Sequence, residues 1–410
     1  MSEKKIGLLG LGTVGSGVWK LINRDHKDQF SIEKILVDNP QKEREVDADP
    51  ALITDNFADL LDELNLDIIV EVIGGIEPAA TFISRALERG LDVITANKKL
   101  MAHRGDELLK TASDNNARLL FEASVAGAVP VIENLHRTVK VDDIEQIAGI
   151  INGTSNFILS RLSQNKAGFE EVLAEAKDLG YAEADPRDDI TGQDAVYKLA
   201  LLASLAQKSW FSWQDIHRQG IADIEEIDHR AAEELELKFK LLALARSRPQ
   251  GLELSVEPTL LPQNHPLARV DDAENSVRIE SEAGGSLSFS GPGAGSLPTA
   301  SAVLRDLLRL EDRSYAPGSD SILDEPDESS AVRDRQNKDF LPRKKHRSSY
   351  YIRGEGAEPE SFPGIDIESR CEITSEKVFL TTAATREELE KSLAESDLTV
   401  NAIYPLRKEI

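Results

Sequence analysis

Near the N-terminus, Ile6 to Leu11 reads as a short buried strand that runs into Gly10, Gly12 and Gly15, with Val18, Leu21 and Ile22 following at helical spacing. Glycines in the order G-x-G-x-x-G between a strand and a helix let a pyrophosphate reach backbone N–H groups at the helix N-terminus. Gly10, Gly12, Thr13, Val14 and Gly15 therefore form a candidate coenzyme-binding turn. A second strand, Ile32 to Val37, ends in Asp38, about 20 residues past the last glycine, where an acid can accept from the ribose hydroxyls of NAD. Strand and helix patterns then alternate: strand Ile68 to Ile73, helix near Ala79 to Arg89, strand Asp92 to Thr95, helix near Asp106 to Asn115, strand Arg118 to Phe121. Such alternation implies an α/β fold, a Rossmann-type doubly wound parallel sheet that binds its ligand across the carboxyl ends of the strands. Gly74-Gly75 and Ala96-Asn97-Lys98-Lys99 fall at those ends, which makes Lys98 a candidate ligand contact.

The second half of the chain carries a different kind of signal. After EASVAGAVPVIENL from Glu122 come a strand, Ile144 to Ile151, the turn Asn152 to Asn156 and an apolar helix, Phe157 to Leu162. Then YAEADPRDDITGQDAVYK places five acids, Glu183, Asp185, Asp188, Asp189 and Asp194, in a loop that runs into a helix bearing Lys198. Asp194 and Lys198 are four apart on one helix face, and LALLASLA continues that helix as an apolar, buried segment. A carboxylate and an ammonium at the head of a buried helix are costly unless paired, so the pair needs a chemical reason. An ammonium can stabilise and then protonate the alkoxide that forms when an aldehyde is reduced; burial lowers a lysine pKa and neighbouring carboxylates oppose that shift. The loop acids suit the ammonium of an amino-acid substrate.

Strands near Leu252 to Leu260, Ser276 to Glu282 and Leu287 to Ser290 suggest an α+β second domain, and helix Thr299 to Leu310 returns to the first. The expected organisation is a dinucleotide domain over 1–125, completed by the returning helix 296–312, and a substrate domain over 126–295. A flexible linker over 313–349, acidic and Pro/Ser-rich and then basic, precedes a small α+β module over 350–410. The module shows strands Tyr350 to Arg353 and Lys377 to Thr382 and a helix, Arg386 to Glu395. With 48 basic against 73 acidic residues and a net charge of -25, the chain repels nucleic acid and anionic membrane. One cysteine, Cys371, excludes an internal disulfide and suits a reducing compartment, and no apolar run is long enough to span a bilayer. A cytoplasmic location is expected.

Several long motifs together carry a family resemblance: GLGTVGSGV at 10–18, TANKKLMA at 95–102, FEASVAGAVPVI at 121–132, NGTSNFIL at 152–159, GYAEADPRDDITGQDAVYKLALLA at 180–203, EPTLLPQNHPLA at 257–268 and GPGAGSLPTASAV at 291–303. In order and spacing the chain resembles homoserine dehydrogenase over roughly residues 1–312. The resemblance implies reversible hydride transfer between NAD(P)H and L-aspartate 4-semialdehyde, giving L-homoserine. It implies Lys198 as proton donor and acceptor at the substrate hydroxyl, with Asp194 and Lys98 assisting. Glu183 and Asp188, with Gly153 and Thr154, would bind the substrate, and the coenzyme would lie over Gly10 to Gly15, touch Lys98 and meet Gly295. It also implies a structural monovalent cation, Na+ or K+, at Glu122 and the carbonyls of Val125, Gly127 and Val129, and a homodimer or homotetramer whose contacts lie in the substrate domain.

Two departures from the family pattern stand out. Many relatives carry an arginine near the end of the second strand, which favours the phosphate of NADP; ILVDNPQKER places Asp38 there, so NAD is the expected coenzyme, although Lys42 and Arg44 follow closely. The terminal module resembles an ACT regulatory domain in position and in its opening YYIR, but lacks an apolar helix after Phe362-Pro363-Gly364. Two other readings are another amino-acid-linked dehydrogenase on this scaffold and a dinucleotide sensor without catalysis. Asp194 and Lys198 argue against the sensor, which has no need of a buried proton donor.

Overall fold

A computed structural model describes residues 3–61, 65–165, 168–311, 340–356, 359, 361–374 and 376–410. The chain divides into two compact units. The first takes in the described parts of Met1–Asp143, Ala200–Trp213 and Phe289–Gln336. Its sheet is built from β1 (Lys4–Leu9), β2 (Phe30–Leu36), β3 (Ile53–Thr54), β4 (Ile68–Glu71), β5 (Asp92–Thr95) and β6 (Leu119–Leu120). All pairings are parallel and the order is β3-β2-β1-β4-β5-β6. Helices cover the faces of such a sheet, so its strands read as near-continuous apolar runs; Ile6, Leu8, Leu9, Ile69 and Val70 are fully buried. The strand order reverses between β1 and β4, which opens a crevice at the carboxyl ends.

The returning helix, Ser296–Glu311, packs on helix Thr13–Leu21, and the contact depends on Gly17, where a Cβ would lie 2.6 Å from the Ser296 carbonyl oxygen. The helix after β5 spans Lys98–Asp114, not Asp106 to Asn115. Asn97 caps it by accepting from Leu100 N at 3.1 Å, so KKLMAHRG forms its first turns despite a glycine at 105. That glycine is required because a Cβ there would lie 2.3 Å from the Trp210 ring.

The second unit takes in the described parts of Ile144–Leu199, Gln214–Ser288 and Asn337–Ile410. Its strands are β7 (Ile144–Ile150), β8 (His217–Arg218), β9 (Leu237–Arg248), β10 (Gly251–Pro262), β11 (Glu274–Ser281), the first half of β12 (Gly285–Pro292), β13 (Arg347–Gly356), β14 (Ile367–Ile373), β15 (Glu376–Thr381), β16 (Ala384–Thr385) and β17 (Leu398–Leu406). The sheet runs β12-β11-β7-β9-β10-β17-β13-β15-β14, with β8 on β10 and β16 on β13. β9 and β10 form a hairpin in register from Leu237↔Pro262 to Arg248↔Gly251. The run LKFKLLALARSR gives no alternating signal for β9, because the strand is buried on both faces and built from Leu and Ala, which favour helix in isolation.

Of the expected linker, 313–339 lie outside the described residues, as does residue 312 of the expected returning helix. From Phe340 onwards the chain is built into the second unit: Phe340 bridges Leu252, the Arg343 guanidinium donates to Glu257 at 2.7 Å, and β13 begins at Arg347. Tyr350, Ile352, Phe362, Phe379, Leu389 and Leu398 belong to a core cluster of the terminal segment. β17 nevertheless pairs with both β10 and β13, so the expected terminal module continues the sheet of the second unit.

Candidate active site

In the first unit, a cleft of about 710 Å³ is lined by Gly10, Gly12, Thr13 and Asp38 of the expected set, together with Lys42, Arg44, Asp55, Ile73 and Gly74. Gly10 has φ +104, and a Cβ at Gly15 would fall 2.1 Å from the Gly10 carbonyl oxygen, so both positions need glycine. Gly12 has open space around its Cβ position and caps helix Thr13–Leu21 without a side-chain bond, as suits a helix N-terminus that receives a phosphate. Gly15 is buried behind the turn and Val14 packs on the apolar core, so neither lines the cleft. Ser296 Oγ donates to the Thr13 carbonyl at 2.7 Å, which holds its neighbour Gly295 beside the turn. Lys98 opens its helix half-buried, outside the cleft lining. Asp38 is exposed, and the Arg44 guanidinium donates to the carbonyls of Asn39 and Lys42, each at 2.6 Å.

The second unit holds the lysine. Lys198 Nζ lies 2.7 Å from Asp194 Oδ2 and donates to the Ile151 carbonyl at 2.8 Å, with both side chains almost wholly buried. Asn152 Nδ2 donates to Asp194 Oδ2 at 2.8 Å and to Asp189 Oδ1 at 2.6 Å, while Asn152 Oδ1 accepts from Ser155 N. The end of β7 therefore meets the start of helix Gln193–Gln207, and Arg218 steadies that start by donating to Gln193 Oε1 at 2.6 Å. A paired, desolvated ammonium of this kind can donate to an oxygen that gains negative charge and give up its proton.

The loop acids separate. Glu183 and Asp188 are exposed, and Asp185 pairs with Arg187 at the surface. Asp189 is instead drawn to Asn152 beside the lysine. Thr154 Oγ1 donates to the Tyr181 carbonyl at 2.7 Å and so ties the 152–156 turn to the acidic loop. Gly153 lies against Ala273, whose carbonyl oxygen would be 2.8 Å from a Cβ there.

Glu122 is buried at the N-terminus of helix Val131–Thr138, where its carboxylate accepts from Ile132 N at 3.0 Å and Glu133 N at 2.7 Å. Burial pushes its pKa up against those two bonds. Asp306 accepts from Glu122 N at 2.9 Å, and burial followed by the Glu122 charge pushes it up to about 7. Val125 and Val129 are buried, and Gly127, at φ +58, is pressed against Gly293. The expected cation ligands thus all lie on the segment between β6 and helix Val131–Thr138. Among the described residues no group of three or more His, Cys, Asp or Glu side chains is placed to hold a metal.

Sequence reasoning did not single out Asn152 or Glu71. Asn152 is recognisable only as the polar residue that closes a buried strand. Glu71 shows as a carboxylate in IIVE, an otherwise apolar strand whose burial is complete.

Residues 10–122 match the family model described as homoserine dehydrogenase, NAD binding domain, and residues 130–308 match that described as homoserine dehydrogenase. The homoserine dehydrogenase of Bacillus subtilis is 43% identical over 318 residues, covering 76% of this chain and 73% of that protein. That of Neisseria gonorrhoeae is 38% identical, covering 86% and 82%. The solved homoserine dehydrogenase of Thiobacillus denitrificans superposes with a TM-score of 0.88 at 34% identity, over 99% of this chain and 98% of that one. A hyperthermophilic archaeal homoserine dehydrogenase solved with NADPH superposes at 0.66 with 26% identity, over 77% of this chain and 99% of that one. Both models match in chain order around the cleft and the lysine, and the chain belongs to the homoserine dehydrogenase family.

Proposed function

We propose that the chain interconverts L-aspartate 4-semialdehyde and L-homoserine with a nicotinamide coenzyme, and that Lys198 is the group that moves the proton. The observation that carries this reading is the buried Lys198–Asp194 pair, 2.7 Å apart and gripped by Asn152 and the Ile151 carbonyl. In the reducing direction Lys198 donates to the aldehyde oxygen as negative charge develops on it and then releases the proton; in the oxidising direction it takes the hydroxyl proton. Asp194 orients the ammonium and balances its charge. Glu183 and Asp188 bind the substrate ammonium, with Gly153 and Thr154 shaping the turn beside them, and Lys98 assists at the coenzyme edge. These four binding roles and that of Lys98 are carried over from the family resemblance.

Gly10, Gly12, Thr13 and the backbone of the turn would hold the dinucleotide, since the glycine geometry leaves a cradle that side chains would fill. The bound nicotinamide ring supplies or takes up the hydride. Our reading assigns NAD as the preferred coenzyme, because Asp38 lines the cleft as a carboxylate and repels a 2′-phosphate. A monovalent cation at Glu122 and the carbonyls of Val125, Gly127 and Val129 would offset the two buried acids, Glu122 and Asp306. Oxygen ligands of this kind suit Na+ or K+. We take the chain to be a cytoplasmic homodimer or homotetramer, which a mass measurement in solution tests, and its terminal segment to carry threonine control.

One assay tests the reading: oxidation of NADH and NADPH, run side by side with aspartate semialdehyde. Turnover with a higher kcat/KM for NADH is expected. No turnover with either coenzyme refutes the function, and a clear preference for NADPH refutes the role given to Asp38. Replacing K+ and Na+ by choline should lower activity or thermal stability, and added threonine should inhibit; an unchanged rate in either arm removes that assignment.

A further inference from the structure

The last residue of β4 is a carboxylate in a strand that needs none. Glu71 is completely buried, and its strand pairs with β1 on one side and β5 on the other, with Glu71 directly opposite Thr95. Isolated carboxylates are not kept in such places, so the partners of Glu71 explain its presence.

Those partners all belong to the ligand edge of the sheet. Glu71 Oε1 accepts from Ile73 N at 2.8 Å and from Gly74 N at 3.1 Å, and Oε2 accepts from Thr95 Oγ1 at 2.5 Å. Thr95 Oγ1 in turn accepts from Asn97 N at 3.0 Å. Asn97 then works in two directions: Nδ2 donates to the Gly75 carbonyl at 2.7 Å, and Oδ1 caps the helix that begins at Lys98. The loop after β4 and the turn after β5 are thereby closed into one hydrogen-bonded unit with the carboxylate at its base. The loop needs such an anchor, because Gly74 and Gly75 both hold positive φ, +76 and +75, and glycine surrenders much conformational freedom when fixed. Ile73 and Gly74 line the dinucleotide cleft directly.

We propose that Glu71 is a positioning residue for the coenzyme: it holds the Ile73–Gly75 loop and the cap of the Lys98 helix in the arrangement the dinucleotide requires, and so sets coenzyme affinity. The proposal rests on the dinucleotide-binding reading of the cleft.

Two variants test it. Glu71→Leu keeps the bulk and removes the acceptor, leaving the Ile73 and Gly74 N–H groups and the Thr95 hydroxyl without their partner. Glu71→Gln keeps an oxygen for the two N–H groups and turns its amide to the Thr95 hydroxyl, which can accept. Coenzyme Kd is read from dinucleotide fluorescence without semialdehyde, alongside KM for each substrate and kcat. E71L should raise coenzyme Kd about tenfold or more, the size expected when a buried donor loses its partner, while semialdehyde KM changes by less than about threefold. E71Q should stay within about threefold of wild type. If E71L does not fold, Thr95→Val, which cuts the link between Glu71 and Asn97, should weaken coenzyme binding several-fold and reduce the rise in Tm that saturating coenzyme produces. Unchanged coenzyme Kd in E71L, or in T95V where E71L does not fold, overturns the proposal, as does an E71Q variant impaired as much as E71L. Wild type that binds neither dinucleotide overturns the reading of the cleft itself.

Discussion

Asn152 decides how the Asp194–Lys198 pair is held. Its amide lies between two carboxylates, Asp189 and Asp194, and without it those like charges would face each other beside the Lys198 ammonium. Asn152→Ala is therefore expected to lower kcat about tenfold while coenzyme KM stays at the wild-type value, because it loosens the pair without touching the cleft residues. Lys198→Ala should cost far more, about a hundredfold to ten-thousandfold in kcat, with coenzyme Kd nearly intact. Steady-state kinetics with coenzyme titrations checks both, and an unimpaired K198A enzyme would remove Lys198 from the chemistry. The Asp194–Lys198 pair was legible in the sequence because i,i+4 spacing on a helix is a local property. Asn152 was not, since it arrives from the end of β7, 42 residues before Asp194, and only strand pairing fixes where that end lies.

Helix Glu226–Glu234 shows the same limit at the level of an element. Its start is written locally: Glu225 and Asp228 form a reciprocal capping box. Its function within the fold is not, because Asp228 also accepts from Tyr351 Oη at 2.8 Å and Arg353 Nε at 2.7 Å, which lie more than a hundred residues away. The next residue, His229, is half-buried edge-on to Phe239, and desolvation pushes its pKa down to about 4. The native imidazole therefore stays neutral as the pH falls through 6.5, where the unfolded one takes a proton. The unfolded state binds more protons across this window, so the contribution of His229 is intact above about pH 6.5 and is lost as the pH falls through about 4. His229→Phe should show a smaller loss of Tm than wild type between pH 7 and pH 5; equal losses would mean that the group does not titrate this way. Elements set by short-range patterns, such as β1, β5 and the returning helix, fall close to where periodicity places them. β9 escapes periodicity because its identity comes from neighbours on both edges.

For the whole molecule, the terminal segment is a structural part of the second unit. Glu253 and Glu257 lie buried on β10. Burial pushes both up, but Arg407, His346 and Arg248 hold Glu253 below the usual carboxylate range, and His217 and Arg343 bring Glu257 down to about 2. Arg343, His346 and Arg407 all come from the segment after 340, and the last residue, Ile410, joins the core cluster of Leu242, Leu261 and Leu267. A chain ended near Leu310 is thus expected to lose far more than regulation. Stranding two buried carboxylates costs about 3–5 kcal/mol each, which corresponds to a Tm lower by about 10 °C or more, or to an insoluble product. A truncated chain that melts like wild type would show the segment to be dispensable. The sequence by itself determined the α/β plan of the first unit, the glycine turn, the acid–lysine pair and the family, because each is written in residues close together or in long unbroken motifs. Tertiary structure alone decided which acids join the lysine, why Glu71 is buried and where the terminal strands go. These depend on strand order, and strand order brings together residues whose separation in the chain carries no signal of their contact.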